Sequence, residues 1–437
     1  MPYVYIKAYG CQMNEYDSEV IAGLLYQKGY SPTSDMDGAD LIVVNTCYVR
    51  EKVKHKVFSF LGELKKLKEQ KPHLILGVGG CLAQKDPQEI LKRAPYVDII
   101  WGTLNLQDVP ELVDKVTEGK SPIIKVESEG KLPDDLPLVR NKKFSAYVPV
   151  IRGCNNFCTY CNVPYVRGRE KSRPLKSIIK EVEMAAREGF KEVVLLGQNV
   201  NSYGKDLPGH LDFADLLYEV SKVEGISRIR FTTSHPRDLS EKLMLAMANI
   251  DKVCEHLHLP LQAGSNKILK LMRRRYTRED YLKLVSQLRS LIPDISLTTD
   301  LIVGFPGEGE DDFDQTLDMV KKVKFDGAFT FEYSPIPGTI AAKFDNQIPD
   351  SIKGKRLRRL IEIQRRITEE KNEVWVGKIV EVLVEGLSRK DPRELQGRTR
   401  HNKIVVFPGE KHLIGELIRV RVNSAGCWAL RGEIVSC

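Results

Sequence analysis

Cys154, Cys158 and Cys161 fall within one eight-residue stretch, CNNFCTYC, and three thiols so spaced can wrap a single metal centre from one loop. A tetrahedral structural zinc needs a fourth ligand, and no His or Cys lies between residues 162 and 200. A redox Cys-x-x-Cys pair alone would leave Cys154 without a role. A four-iron cluster suits the set, since three thiolates leave one iron open to a substrate or cofactor. A zinc loop completed by a distant ligand is the competing reading.

Cys11, Cys47 and Cys81 are far apart in the chain, yet each follows an apolar run that reads as a strand: YVYIKAY, DLIVVNT and HLILGVGG. In a parallel sheet the C-terminal ends of the strands share one edge, where ligands bind. Equivalent placement predicts that the three converge as a second thiolate triad, facing the first across a domain boundary. The alternative is three unrelated core thiols. Cys254, Cys427 and Cys437 read as a filler, a core residue of the terminal domain and the chain end.

The elements that must hold these residues alternate. Residues 1–120 read as apolar strands separated by helices, one of them from about Val49 to Gln70, which predicts a flavodoxin-like parallel sheet covered on both faces. Residues 121–143 are polar and Pro-rich and read as a linker. Residues 144–371 hold six strand–helix units, from FSAYVPVI to AFTFEYS, and end in a charged helix; they predict a full or partial (β/α) barrel. Residues 372–437 change to short alternating strands with Gly/Pro turns, a small β-barrel. The fold class is therefore α/β and multidomain.

Composition is ordinary for a folded chain: 42 % hydrophobic and 29 % charged residues over 437 positions. No stretch approaches the ~20 apolar residues of a membrane span, and the N-terminus lacks a signal-peptide pattern. Nine cysteines, an odd number, do not suggest a disulfide framework. The expectation is a cytoplasmic protein with reduced thiols and no membrane partner. Net charge is +8, and residues 352–437 carry 19 Lys/Arg against 11 Asp/Glu, which locates the whole excess at one end. A local basic surplus points to a polyanion such as nucleic acid. From charge, Arg167, Arg169, Lys171 and Arg173 after the cysteine loop, and Arg398, Arg400 and Lys403 on one terminal hairpin, are candidate RNA contacts. Arg273, Arg274 and Arg275 read as a solvated helix end. His256 and His258 alternate on one strand and read as barrel packing rather than a metal pair.

The C-x3-C-x2-C loop, with Tyr160 before its last cysteine, resembles the cluster loop of the radical S-adenosylmethionine enzymes, and that resemblance implies a partial (β/α)6 barrel for the six strand–helix units. Two cysteine triads followed by a small basic β-domain resemble the radical methylthiotransferases over nearly the whole chain. The segments carrying the likeness are YGCQMNEYDSE (9–19), VVNTCYVRE (43–51), GGCLAQ (79–84), GCNNFCTYCNVPYVRGREKSR (153–173), LLGQNVNSYG (195–204), FTTSHP (231–236), HLPLQAGS (258–265), TDLIVGFPGE (299–308) and FEYSPIPGT (331–339). The terminal domain resembles TRAM, an RNA-binding barrel. Gln12-Met13-Asn14, GQNVNSYG, TTSHP and GREKSR resemble the branch that acts on N6-isopentenyladenosine in tRNA. Sister branches modify threonylcarbamoyl-adenosine in tRNA or a ribosomal-protein aspartate.

The resemblance implies methylthiolation of carbon 2 of that adenine, next to the anticodon. It implies two [4Fe-4S] clusters, on Cys154, Cys158, Cys161 and on Cys11, Cys47, Cys81, the second holding or donating sulfur. It also implies two S-adenosylmethionine molecules per turnover, a tRNA substrate, an electron donor such as a flavodoxin or ferredoxin, and a monomer. Tyr160, Gln198, Asn199, Gln262 and Asp300 lie in or near the loop and barrel strand ends and are the expected cofactor contacts. Ile336 and Ala263 depart from the family pattern, which often has a basic residue and Ser there.

Overall fold

The protein is described by a computed structural model that covers all residues except 49, 50, 129, 131, 132, 141, 143, 436 and 437. Val49 and Cys437 lie outside the described residues. The chain forms two compact units. One comprises residues 1–141 with 152–155 and 161–177; the other comprises 142–151, 156–160 and 178–437.

The first unit is built on a six-stranded sheet. Its strands run Ser31–Pro32, Tyr3–Ala8, Leu41–Thr46, Ile75–Gly80, Ile99–Trp101 and Ile123–Lys125 in spatial order, all parallel. Leu41–Thr46 and Ile75–Gly80 are buried at every position, because helices cover both faces and a continuous apolar run is what such a strand requires. The order 2-1-3-4-5-6 is the flavodoxin-like winding, with its reversal between Tyr3–Ala8 and Leu41–Thr46. The expected linker differs from the structure. Ile123–Lys125 pairs with Ile99–Trp101 as the sixth strand, and the Val139 N–H donates to the Glu19 carbonyl at 3.1 Å. The Pro-rich composition concealed a three-residue edge strand, where few residues need to be apolar.

The second unit contains six parallel strands in two groups. Ser145–Pro149, Glu192–Leu196 and Arg228–Phe231 form one; His256–His258, Ser296–Val303 and Gly327–Glu332 form the other. A bridge between Ile229 and Val253 links the groups into a partial barrel. Helices return between the strands with clear stop and start chemistry. Asp212 and Asp215 make a capping box at Phe213–Ser221, and Thr277 and Asp280 another at Arg278–Leu291. Helix Asp350–Glu373 follows, tied to the barrel by the buried pair Arg356–Glu308 at 2.9 Å. The chain ends in a closed five-stranded barrel of Ile379–Leu387, Glu394–Thr399, Ile404–Pro408, Leu430–Ile434 and Leu417–Ala425. Alternate inward residues, among them Val382, Leu395, Phe407, Val420 and Val422, fill it. Cys427 is half-buried and stands outside this core, contrary to expectation.

Candidate metal centres

Cys11, Cys47 and Cys81 follow the C-terminal ends of three neighbouring strands, Tyr3–Ala8, Leu41–Thr46 and Ile75–Gly80. The strand-order reversal lies between the first two, which is where a doubly wound sheet opens a crevice for ligands. Two glycines allow the close approach. A side chain at Gly10 would stand 2.7 Å from the Cys47 Cβ. Gly80 has φ +93°, and a Cβ there would meet the Asn45 Oδ1 at 2.4 Å and the Thr46 carbonyl at 2.5 Å. Asn14 laces the edge together. Its Nδ2 donates to the Thr46 carbonyl at 2.8 Å, and its Oδ1 accepts from the Cys11 thiol at 3.5 Å.

Arg167 enters the same place. Its Nε donates to the Cys81 sulfur at 3.2 Å, one Nη to Asp17 at 2.6 Å and the other to the Asn14 Oδ1 at 3.2 Å. Burial pushes the Cys81 thiol up; Arg167 opposes that shift and Cys11 reinforces it. Burial disfavours the Arg167 cation, yet Asp17, Cys81 and Cys11 together hold it more firmly protonated than usual. Among the described residues no three His, Cys, Asp or Glu side chains stand as a ready metal cage. The donor set nevertheless fits a thiolate-ligated iron cluster: three cysteines on one sheet edge and a buried cation donating to one of them.

The loop of Cys154, Cys158 and Cys161 contributes to each unit. In the first unit, the Cys154 N–H donates to the Gly168 carbonyl at 3.2 Å, and the Cys161 sulfur accepts from the Val163 N–H at 3.4 Å. In the second, Thr159 is pinned by its hydroxyl to the Leu271 carbonyl at 2.8 Å and by its N–H to the Met272 carbonyl at 3.2 Å. There Arg274 reaches the Cys158 sulfur and the Tyr160 hydroxyl, each at 3.5 Å. Arg274 was expected on a solvated helix end and is instead 5 % exposed, between the exposed Arg273 and Arg275. The run hid a single buried cation because Arg273 and Arg275 both take positive φ and turn outward.

The expected cofactor contacts lie along the barrel strands. Gln262 has φ 71° and is stapled to the fifth strand, its N–H to the Asp300 carbonyl at 2.8 Å and its carbonyl accepting from Ile302 at 2.9 Å. The Asp300 carboxylate faces the His258 Nε2 at 3.4 Å. His256 and His258 both bond Thr298, at 2.9 and 3.1 Å, so they serve as satisfied barrel packing. Gln198 is half-buried just after the second strand, and Asn199 donates to Asp238 at 2.8 Å. Ser234 and His235, after the third strand, were not singled out as site residues. The His235 Nδ1 accepts from the Arg237 N–H at 3.2 Å, which leaves the proton on Nε2. That Nε2 and the Ser234 hydroxyl are buried without a partner among the described residues.

The basic residues expected on RNA divide sharply. Arg169 and Lys171 are exposed. Arg167 is buried against Asp17 and Cys81, and Arg173 donates to the Asp134 carbonyl at 2.6 Å. On the terminal hairpin, Lys403 is buried and bonds Asp326 at 2.8 Å and Asn372 at 2.9 Å. Arg400 pairs with Glu255, and Arg398 with Glu385 at 2.9 Å. Four of these five cations pair with carboxylates within the protein and Arg173 is held by a carbonyl, so their placement does not support the RNA contacts that charge alone suggested.

Residues 148–320 match the Radical SAM superfamily, residues 3–102 the Uncharacterized protein family UPF0004, and residues 373–435 the TRAM domain. Curated relatives include tRNA-2-methylthio-N(6)-dimethylallyladenosine synthases. That of Acetivibrio thermocellus is 52 % identical over 98 % of this chain and 90 % of its own length. That of Moorella thermoacetica is 54 % identical over 98 % of both. Among solved structures, the radical S-adenosylmethionine methyltransferase TsrM from Kitasatospora setae, with cobalamin and a [4Fe-4S] cluster bound, shares the fold at a TM-score of 0.59. It covers 78 % of this chain and 77 % of its own at 15 % identity.

Proposed function

The chain belongs to the tRNA-2-methylthio-N(6)-dimethylallyladenosine synthase family, and on that premise we propose that it methylthiolates carbon 2 of N6-isopentenyladenosine next to the anticodon of tRNA. It is a radical S-adenosylmethionine enzyme that uses a [4Fe-4S] cluster and S-adenosylmethionine. The observation that carries the finer reading is the seating of Cys11, Cys47 and Cys81 on three adjacent strand ends around the sheet's switch point.

The adenine C2–H is too weakly acidic for a side-chain base near neutral pH. A cluster with S-adenosylmethionine supplies, when bound, a carbon radical able to activate that bond. Cys154, Cys158 and Cys161 would hold this cluster. Arg274, donating to the Cys158 sulfur, steadies the loop and adds a positive charge beside it. Gln262 and Asp300, fixed to each other through the backbone, present polar groups at the barrel mouth for the amino-acid and ribose portions of the cofactor. His235, kept neutral by burial and by Arg274, offers an Nε2–H donor beside Ser234 for a bound acceptor. Cys11, Cys47 and Cys81 would hold a second four-iron cluster that holds or donates the sulfur. Two S-adenosylmethionine molecules would be used per product, one for C–H activation and one as methyl source. A flavodoxin or ferredoxin would supply electrons to a cytoplasmic monomer.

The RNA-facing surface of the terminal barrel is proposed on Arg419, Arg421 and Trp428. The first two are outward on strand Leu417–Ala425, and Trp428 is 85 % exposed. Phosphate contacts and a stacking ring suit single-stranded RNA. Mass spectrometry of tRNA nucleosides tests the whole reading. Cells lacking the protein should lose 2-methylthio-N6-isopentenyladenosine and accumulate the unthiolated nucleoside. An unchanged level, or loss of methylthiolated threonylcarbamoyl-adenosine instead, would overturn it.

A further inference from the structure

Arg167 lies at the end of the short helix Val163–Val166, in the segment that follows Cys161. Its backbone is anchored twice over. The Arg167 N–H donates to the Val163 carbonyl at 2.8 Å, and the adjacent Val166 carbonyl accepts from the Thr103 hydroxyl at 2.7 Å. A guanidinium always carries its charge and offers five N–H donors in a rigid fork. Here each of its three nitrogens is engaged: Nε on the Cys81 sulfur, one Nη on the Asp17 carboxylate and the other on the Asn14 Oδ1. Asn14 in turn accepts from the Cys11 thiol and holds the Thr46 carbonyl, one residue before Cys47. One side chain thus bears on all three cysteine positions, on one directly and on two through Asn14. Asp17 also pairs with Arg152 at 3.2 Å, so two cations share one carboxylate next to Cys81.

We propose that Arg167 is a positioning residue for the iron–sulfur group of Cys11, Cys47 and Cys81, holding the Cys81 thiolate through its Nε–H and raising the group's reduction potential through its fixed charge. This deepens the proposed function and rests on its assignment of those cysteines as cluster ligands. Three thiolates gathered in a small volume repel one another, and each added electron worsens the repulsion. A buried cation and an N–H donor to sulfur favour the reduced form.

The test uses the full-length chain with Cys154→Ala, Cys158→Ala and Cys161→Ala, reconstituted anaerobically with iron and sulfide, so that only the N-terminal site reports. Iron per chain and the midpoint potential, from a dithionite titration with mediators followed by electron paramagnetic resonance, are compared for Arg167, Arg167→Lys and Arg167→Met. The parent should hold about four irons. Arg167→Met should reduce about tenfold less readily at a fixed potential, about 59 mV for one electron. Arg167→Lys should keep its iron and lie between the two. Loss of iron in Arg167→Met that Arg167→Lys restores also supports the proposal. Equal iron and equal potential in Arg167→Met overturn it, as does loss of iron in both variants. A parent that takes up no iron overturns the cluster assignment itself, a separate result.

Discussion

Arg400 and Glu255 meet in a two-pronged ion pair, Nη2 to Oε1 at 2.6 Å and Nε to Oε2 at 2.8 Å, that seats the terminal barrel's hairpin on the larger barrel. The same Nη2 donates to the Asp251 and Val253 carbonyls at 2.8 and 2.7 Å. From the other side, Arg228 donates to the Arg398 carbonyl at 2.9 Å, and Arg230 to the Thr399 and Arg400 carbonyls at 2.5 and 3.0 Å. The Arg400 side chain and the hairpin's carbonyls therefore serve docking. Arg400→Ala should lower stability by about 1–3 kcal/mol, since it strands the Glu255 carboxylate and frees two carbonyls. Thermal unfolding should shift down by a few degrees, with the salt dependence of tRNA binding unchanged. A flattened salt slope with unaltered stability would return Arg400 to the RNA surface.

Arg419, Arg421 and Trp428 should behave in the opposite way. Each lies outward from the filled barrel core, so Arg419→Ala, Arg421→Ala and Trp428→Ala should barely move the unfolding temperature. The two arginine changes together should reduce the slope of log K against log salt by about 2 and weaken binding to all tRNAs alike. Trp428→Ala should cost about 1–3 kcal/mol of RNA affinity through lost stacking. Filter binding at several salt concentrations checks all three.

Legibility in the sequence followed the length scale of the interaction. The run DLIVVNT announces a buried parallel strand, and its neighbours fixed the sheet that brings Cys11, Cys47 and Cys81 to one edge. Compact motifs such as CNNFCTYC are equally plain, because spacing alone limits what three thiols can do. Charge was the weakest guide. Arg167, Arg274, Arg400 and Lys403 look like surface cations in one dimension, and their partners lie up to 153 residues away in sequence. One signal was available for the strand RIRF: two arginines alternating with apolar residues in a barrel strand must point the same way, and Arg228 and Arg230 do, into a buried polar interface. Ile123–Lys125 was obscured for another reason, since a three-residue edge strand leaves no periodicity to detect.

The two cysteine sets should separate the reaction into parts. Wild-type protein prepared anaerobically should carry about eight irons, and either triple-alanine variant about four. Cys154→Ala should abolish release of 5′-deoxyadenosine, whereas Cys11→Ala should retain release and yield no methylthiolated nucleoside. Chromatography of both small molecules from one reaction decides the matter. Methylthiolated product from Cys11→Ala would remove the N-terminal sheet from sulfur insertion.

Acidification should weaken the fold through His235. Burial first, and the neighbouring Arg274 second, hold its imidazole neutral, with a pKa down at about 2 against an ordinary 6.5. The unfolded chain takes up a proton below pH 6.5 that the folded chain refuses, so stability is complete above pH 6.5 and falls as the pH drops beneath it. One such group costs about 1.4 kcal/mol per pH unit across that window. His256 is driven the same way by burial and by Arg230, so the loss is shared between two sites. His235→Gln keeps a neutral side chain and removes the proton uptake. Its unfolding temperature should therefore fall less steeply than that of the wild type between pH 6.5 and 5. Parallel curves for the two proteins would show that His235 is protonated in the folded state, and with that its role as a neutral donor beside Ser234 would be lost.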